Sequence, residues 1–290
     1  MTAIRELAPA KINLTLEVKG RRSDGLHEVA SLVAFASGGD VLTFDAGASP
    51  DITVSGAFAD QLIGTNILSR AVALIAGRAP GLRLGSVHLE KKLPVAAGIG
   101  GGSADAGALL RAVRDANSDA SVNVDWYGIA RDLGADVPVC FEARPMWMTG
   151  AGETLSEIAG GLPRLDAVLV NPMADVPADK TAQVYRALAA GLLPAGYEVP
   201  PAPRFSDRAA LLDFMRSRGN QLARAAETVV PEIGVVLGAL GRLPGVEYAA
   251  LSGGGPTCFA IFADRETAEA ARQHIAAEHP KWWVEATQLG

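Results

Sequence analysis

Apolar and polar residues alternate in several short stretches of the first half of the chain, a pattern typical of half-buried β-strands. The first stretch is 8–18, where the alternation is clear from Ile12 onward. Further strands are predicted over 29–36, 41–44, 51–55 and 84–93. The charged residues 20–25 and the Gly-Gly-Asp run at 38–40 are predicted to be turns.

Apolar residues at helical spacing are most frequent in the second half. Helices are predicted at 66–77, 104–113, 125–133, 182–190, 207–216, 221–230, 233–240 and 265–278, and strands at 166–171, 246–251 and 257–262. The proline-rich stretch 191–204 is predicted to be a loop. This order indicates an α+β protein with domains at 1–160 and 161–290, and Gly160–Gly161 marks the boundary.

Composition limits the classes of function. The 290 residues are 49% apolar, which suits a globular protein with a core, and the net charge of −6 argues against nucleic acid or anionic membranes as partners. Cys140 and Cys258 lie in apolar runs, so buried thiols are expected rather than a disulfide. The first residues lack a signal-peptide pattern and no stretch is long enough to cross a membrane, so we expect a cytoplasmic protein.

A glycine-rich loop at 94–106 (PVAAGIGGGSADA) lies between a predicted strand and a predicted helix. Backbone N–H groups in such a loop can surround a phosphate, and the helix dipole favours the negative charge. The loop lacks the Gly-Lys-Ser/Thr ending of a Walker A motif, and Ser103 replaces the third glycine of a dinucleotide fingerprint. The alternative is a flexible turn with Ser103 as a helix N-cap. Lys91 and Lys92 either add positive charge at the loop or are solvated strand residues.

Two further charged residues stand in apolar surroundings. Lys11 lies in the first predicted strand, where a cation is costly unless it is paired, and Asp136 follows a helix end. Each has an ordinary interpretation, as a lysine that reaches solvent and an aspartate in a turn. Together with the glycine loop, they make a phosphoryl-transfer site the hypothesis to test.

The glycine loop resembles the phosphate loop of the GHMP kinases (galactose, homoserine, mevalonate and phosphomevalonate kinases), and 251–259 (LSGGGPTCF) resembles their third motif. This resemblance implies a two-domain fold, with a ribosomal-protein-S5-like N-terminal domain and a ferredoxin-like C-terminal domain. It also implies ATP as phosphate donor, with magnesium bridging the phosphates and no residue assigned as a metal ligand. Lys11 and Asp136 match the catalytic pair.

The run 9–27 (PAKINLTLEVKGRRSDGLH) resembles one branch of the family more narrowly. That resemblance implies phosphorylation of the 2-hydroxyl of a cytidine-diphosphate-linked methylerythritol, on the non-mevalonate route to isoprenoid precursors. Implied ATP contacts are Asn66, Pro94, Val95, Ala96, Ala97, Gly98, Ile99, Gly100, Gly101, Gly102, Ser103 and Ala104. Implied substrate contacts are Asn13, Leu26, His27, Thr181 and Tyr185, with His27 at the cytosine edge and Tyr185 stacked on the base. Asn66 fits a helix cap equally well.

Some residues depart from the family pattern. Leu26 replaces a tyrosine, which leaves one face of the cytosine site aliphatic, and Gly254 and Ala104 replace serines. Another GHMP kinase and a non-catalytic nucleotide or RNA binder are the competing interpretations. The oligomeric state, monomer or homodimer, stays open.

Overall fold

The computed structural model describes residues 3–62 and 66–290. The strands are β1 (Ile4–Asn13), β2 (Glu17–Arg21), β3 (His27–Asp45), β4 (Asp51–Ser55), β5 (Ser86–Glu90), β6 (Met146–Gly150), β7 (Thr154–Glu157), β8 (Leu165–Asn171), β9 (Val246–Leu251), β10 (Cys258–Phe262) and β11 (Trp283–Leu289). The helices are α1 (Ile67–Arg78), α2 (Gly101–Ala116), α3 (Trp126–Leu133), α4 (Val137–Glu142), α5 (Lys180–Leu188), α6 (Arg208–Arg218), α7 (Ala223–Val229), α8 (Glu232–Leu240) and α9 (Arg265–Glu278).

The chain forms two compact units, and neither is one continuous stretch. The first consists of the described part of Met1–Lys11, Gly38–Val95 and Gly100–Arg144. The second consists of Ile12–Ser37, Ala96–Ile99 and Pro145–Gly290. The division into domains 1–160 and 161–290 stays a prediction.

The described part of the first unit has a small sheet and helices α1 to α4. Within it β5 pairs antiparallel with the second part of β3, and β4 pairs parallel with β5. Helices α1 to α4 pack against one another, and α2 is buried along most of its length because its residues are small and apolar. An uninterrupted run of buried alanine, glycine and leucine lets neighbouring helices approach closely.

The predicted turn at 38–40 is wrong, because β3 continues through it as one strand. Gly39 is needed because β1 passes close to β3 here, not because the chain turns. A Cβ at this position would lie 2.6 Å from the Cα of Pro9. Only glycine leaves room for β1 to pass at that distance. The glycine pair therefore reflects strand packing, which the local sequence does not reveal.

The second unit contains two antiparallel arrangements. In one, β3 pairs with β2 on one side and β6 on the other, and β7 pairs with β6. In the other, the strand order is β9-β10-β8-β11, with helices between β8 and β9 and between β10 and β11. This βαββαβ connectivity is that of a ferredoxin-like fold, so the predicted α+β class is confirmed.

Most predicted elements are present with shifts of a few residues at their ends, but several elements were missed. Strands β6, β7 and β11 and helix α4 have no counterpart in the prediction, and β2 runs into the stretch expected to be a charged turn. Helix α2 starts at Gly101, three residues before the predicted start. Across residues 3–62 and 66–290, no helix combines the length and apolar character needed to span a bilayer.

Candidate active site

Lys11 and Asp136 meet in the first unit, although they are far apart in the sequence. Lys11 Nζ lies 2.8 Å from Asp136 Oδ1, and the two side chains are 4% and 37% exposed. A buried ammonium needs such a partner. The carboxylate is partly open to solvent, so it can also reach a second ligand.

Asp136 can pair with Lys11 because of its position at the start of α4. It occupies the N-cap position, yet within the described residues its side chain accepts no capping hydrogen bond. Its carboxylate is therefore directed to Lys11 rather than to the backbone of its own helix. Helix α4, missed from the sequence, is the element that presents this group.

Arg111 connects the elements that carry the two residues. From α2 it donates to Glu6 Oε2 at 2.8 Å and to the Leu7 carbonyl at 2.7 Å, both in β1. It also donates to the carbonyl oxygens of Cys140 at 2.8 Å and Phe141 at 3.4 Å in α4. We infer that this guanidinium fixes the separation of Lys11 and Asp136. Sequence reasoning missed Arg111, since nothing in its own helix points to these partners.

Gly100 brings the end of the glycine loop against Lys11. It is the N-cap of α2, with φ +64°, and no side chain of the described residues caps the helix. A Cβ on Gly100 would lie 3.1 Å from Lys11 Cβ. The alternative role of Ser103 as N-cap is wrong, since Ser103 lies inside the first turn. The uncapped N–H groups suit a phosphate.

Lys91 is neither a phosphate ligand nor a solvated residue. It is 1% exposed, and its Nζ lies 2.5 Å from Asp40 Oδ2 and 2.8 Å from Asp105 Oδ2. Burial opposes its charge, but the two carboxylates raise the pKa of Lys91 above its ordinary value. Lys92 is exposed and pairs with Glu90 at 3.2 Å.

Asn66 caps α1, as the structural interpretation of the sequence predicted. Its side-chain oxygen accepts from the Ser69 backbone N–H at 2.9 Å. This bond commits the amide oxygen to the helix. A nucleotide contact through the amide nitrogen stays a prediction.

In the second unit, His27 and Tyr185 stack on each other with ring centroids 4.5 Å apart and an interplanar angle of 25°. Burial, together with the charge of Arg21, lowers the pKa of His27, so its ring is neutral at pH 7 and offers one donor and one acceptor. Leu26 is 53% exposed beside it, and Thr181 is exposed on α5.

Asn13 is fully enclosed in the second unit. Its amide nitrogen donates to Ser31 Oγ at 2.7 Å, and its backbone N–H donates to Ser252 Oγ at 3.2 Å. Its side-chain oxygen, Oδ1, is buried and has no hydrogen-bond partner among the described residues. A buried acceptor of this kind is costly unless a ligand donates to it.

The chain matches known proteins over its whole length. Residues 66–143 match the family model "GHMP kinases N terminal domain", and residues 202–281 match "GHMP kinases C terminal". A "4-diphosphocytidyl-2-C-methyl-D-erythritol kinase" from Rhodopseudomonas palustris (strain BisB18) is 46% identical, covering 99% of this chain and 95% of the relative. One from Methylobacterium radiotolerans is 47% identical and covers both chains completely.

A solved structure agrees with these relatives. The "Crystal structure of 4-(cytidine 5'-diphospho)-2C-methyl-D-erythritol kinase" superposes with a TM-score of 0.74 at 30% identity, covering 99% of both chains. The chain belongs to the GHMP kinase family. Within that family it groups with the 4-diphosphocytidyl-2-C-methyl-D-erythritol kinases, as the narrower resemblance predicted.

Proposed function

We propose that this protein transfers the γ-phosphoryl group of ATP to the 2-hydroxyl of 4-diphosphocytidyl-2-C-methyl-D-erythritol, in non-mevalonate isoprenoid biosynthesis. The observation that carries this proposal is the Lys11–Asp136 pair, beside the uncapped start of α2, in a chain whose full-length relatives bear that kinase's name. Phosphoryl transfer needs a positioned hydroxyl, charge compensation and a phosphate cradle, and these features supply them.

Asp136 orients the attacking hydroxyl and accepts its proton. Lys11 holds the carboxylate in place and offsets charge that develops on the transferred group. In a loose transition state little proton removal is needed early, so positioning carries most of the catalysis. The proton therefore moves to Asp136 late in the step.

The ATP phosphates bind to the backbone of 94–104, with the N–H groups at the start of α2 as donors. In residues 3–62 and 66–290, no three His, Cys, Asp or Glu side chains come together as a metal site. We expect a magnesium ion to be carried by the ATP phosphates rather than held in a full cage of protein ligands. When bound, this ion offsets phosphate charge.

The cytidine end of the substrate binds to residues of the second unit. Neutral His27 presents its ring nitrogens to the cytosine edge, and the Asn13 side-chain oxygen accepts from a substrate donor. Tyr185, whose ring lies 4.5 Å from that of His27, provides the aromatic platform for the base. Leu26 and Thr181 provide the remaining contacts.

Replacing Asp136 by asparagine tests the catalytic assignment. We expect turnover to fall at least about a hundredfold, because the amide cannot accept the hydroxyl's proton. ATP affinity should change little, since the carboxylate does not bind nucleotide. ADP release and calorimetric titration measure the two quantities. Near wild-type turnover in Asp136→Asn would show that Asp136 is not the proton acceptor.

A further inference from the structure

Lys180, the first residue of α5, is a buried lysine that the sequence did not single out. It is 5% exposed. Lys11 and Lys91 are buried to a similar degree, and each pairs with a carboxylate. Among the described residues, no carboxylate lies within ion-pair distance of Lys180 Nζ, so its charge is not neutralised by the protein. Burial lowers its pKa to about 8.

The ammonium of Lys180 is bound by two backbone carbonyls instead. Nζ donates to the Ala96 carbonyl oxygen at 3.2 Å and also to the carbonyl oxygen of Gly255. Ala96 lies in the glycine loop, and Gly255 lies in the third family motif. Both belong to the same compact unit as Lys180. One side chain therefore connects two motifs that are far apart in the sequence.

The next two carbonyls of the glycine loop are held in the same way. The Thr257 backbone N–H donates to the Ala97 carbonyl at 3.1 Å, and Ser252 Oγ donates to the Gly98 carbonyl at 3.3 Å. Three consecutive carbonyl oxygens thus accept hydrogen bonds, one of them from a cation.

The planarity of the peptide bond determines where the opposite ends point. In a trans peptide the C=O and the following N–H point in opposite directions. The N–H groups of Ala97, Gly98 and Ile99 are therefore directed away from the donors that hold the three carbonyls. Those of Gly98 and Ile99 have no hydrogen-bond partner among the described residues, and Gly98 is partly exposed. Successive free N–H groups of this kind form an anion-binding concavity.

We propose that Lys180 is a positioning residue for nucleotide binding: it holds the loop at 96–98 so that loop N–H groups such as that of Gly98 face the ATP phosphates, whose negative charge compensates the buried ammonium. This inference rests on the proposed function, because it assumes that the loop binds ATP. It adds a side chain from outside the family motifs to the nucleotide site. Lys180 acts through the loop backbone and through charge.

Nucleotide affinity of Lys180 variants tests the proposal. Lys180→Met removes the charge and the donors at similar length, Lys180→Arg keeps both, and Lys281→Met removes an exposed lysine of the same unit as a control. Calorimetric titration with a non-hydrolysable ATP analogue plus magnesium gives one dissociation constant. Titration with the cytidylyl substrate gives the other.

We expect Lys180→Met to weaken analogue binding by about ten- to a hundredfold, the range for a lost hydrogen bond to a charged group. Its affinity for the cytidylyl substrate should stay within about twofold. Lys180→Arg should recover most of the lost affinity, and Lys281→Met should match the wild type. Unchanged analogue affinity in a folded Lys180→Met would overturn the proposal, as would equal losses for both ligands.

Amide hydrogen exchange of the wild-type protein provides a second test that does not depend on how the variants fold. The N–H group of Gly98, which is partly exposed and has no hydrogen-bond partner among the described residues, should exchange quickly in the free protein. It should become protected when the ATP analogue binds and stay unprotected with the cytidylyl substrate alone. Absence of protection by the analogue would refute the proposal. Failure of the wild type to phosphorylate the cytidylyl substrate would instead refute the proposed function, and the analogue measurements would still stand.

Discussion

Single residues of the candidate active site are held in place by charge and close contact. Lys11 is buried beside Asp136, and Gly100 lies against its side chain. A buried lysine whose partner is removed is left with an uncompensated charge, so the two residues form one unit. The apolar surroundings of both residues indicated charges that need partners, and the structure pairs them, while their catalytic role stays a prediction.

Replacing Gly100 by alanine should impair both stability and turnover. The residue has φ +64°, and the new Cβ would lie 3.1 Å from Lys11 Cβ. The left-handed conformation alone costs a non-glycine residue about 1–2 kcal/mol, and displacing Lys11 should lower turnover further. Urea unfolding and ADP release measure the two effects.

Gly77→Ala is the matched control. Gly77 lies in α1 with open space around a Cβ, so alanine should stabilise the helix by about 0.5–1 kcal/mol. If Gly100→Ala matched Gly77→Ala in stability and turnover, the close contact with Lys11 would not contribute to function.

At the scale of elements, a buried three-residue ion cluster joins the two flanks of the glycine loop. Asp40 of β3 accepts from Lys91 Nζ and from the backbone N–H groups of Lys92 and Leu93, at 2.5, 2.5 and 2.8 Å. Asp105 of α2 accepts from the same ammonium. The cluster therefore ties the segment that enters the loop to the helix that leaves it.

Lys91→Met should strongly destabilise the protein, by about 3–5 kcal/mol, because the buried Asp40 carboxylate loses its cation and Asp105 loses a hydrogen-bond donor. Lys92→Met, which removes an exposed lysine paired with Glu90, should stay within about 0.5 kcal/mol of the wild type. Urea denaturation measures the free energy of unfolding of both variants. Equal stability of the two would show that the cluster does not support the loop.

The same cluster should make stability depend on pH. Burial, with the nearby charge of Asp40, raises the pKa of Asp105 from 3.8 to about 8, despite the opposing charge of Lys91. The native state then binds a proton that the unfolded chain releases, so this contribution is complete below about pH 4 and is lost as pH rises through about 8.

Asp105→Asn removes the titrating group. The free energy of unfolding of Asp105→Asn relative to wild type should therefore increase by up to about 1.4 kcal/mol per pH unit from about pH 5 to pH 8. Denaturant titrations across that range measure it. A difference that does not vary with pH would mean that Asp105 has the same protonation behaviour in both states.

The local sequence predicted those helices and strands that have a local signal, such as a helix cap or a clear periodicity. Helix α1 was found because its cap, Asn66, and its periodicity coincide. The missed β6 is buried throughout and only five residues long, so it shows no alternation. Short α4 has too few residues for a helical period. The role of Lys91 could not be predicted, because Asp40 and Asp105 reach it only in the fold.

At the scale of the whole molecule, the three family motifs and their order were sufficient to predict the class of protein, and the order of the predicted elements indicated the α+β architecture. The pairing of β8 with β10 and β11, and the interleaved composition of the two units, depend on contacts between distant parts of the chain. The same limit applies to Lys180, whose partners lie in two separate motifs. Recognition of a family supplies its shared residues but not those that lie outside its motifs.

The net charge of −6 makes the location of cations decisive for a protein that binds an anionic nucleotide. Lys180 is buried at the glycine loop without a carboxylate partner among the described residues, so it places positive charge where phosphate is expected. Local charge of this kind can bind an anion in spite of the overall charge.

The most direct test of the central claim is the substrate specificity of ADP release. Purified protein with magnesium and ATP would be supplied in parallel with 4-diphosphocytidyl-2-C-methyl-D-erythritol, homoserine or mevalonate. We predict turnover with the cytidylyl substrate alone, in spite of Leu26 in place of the usual tyrosine. Turnover only with homoserine or mevalonate, or with none of the three, would contradict the account.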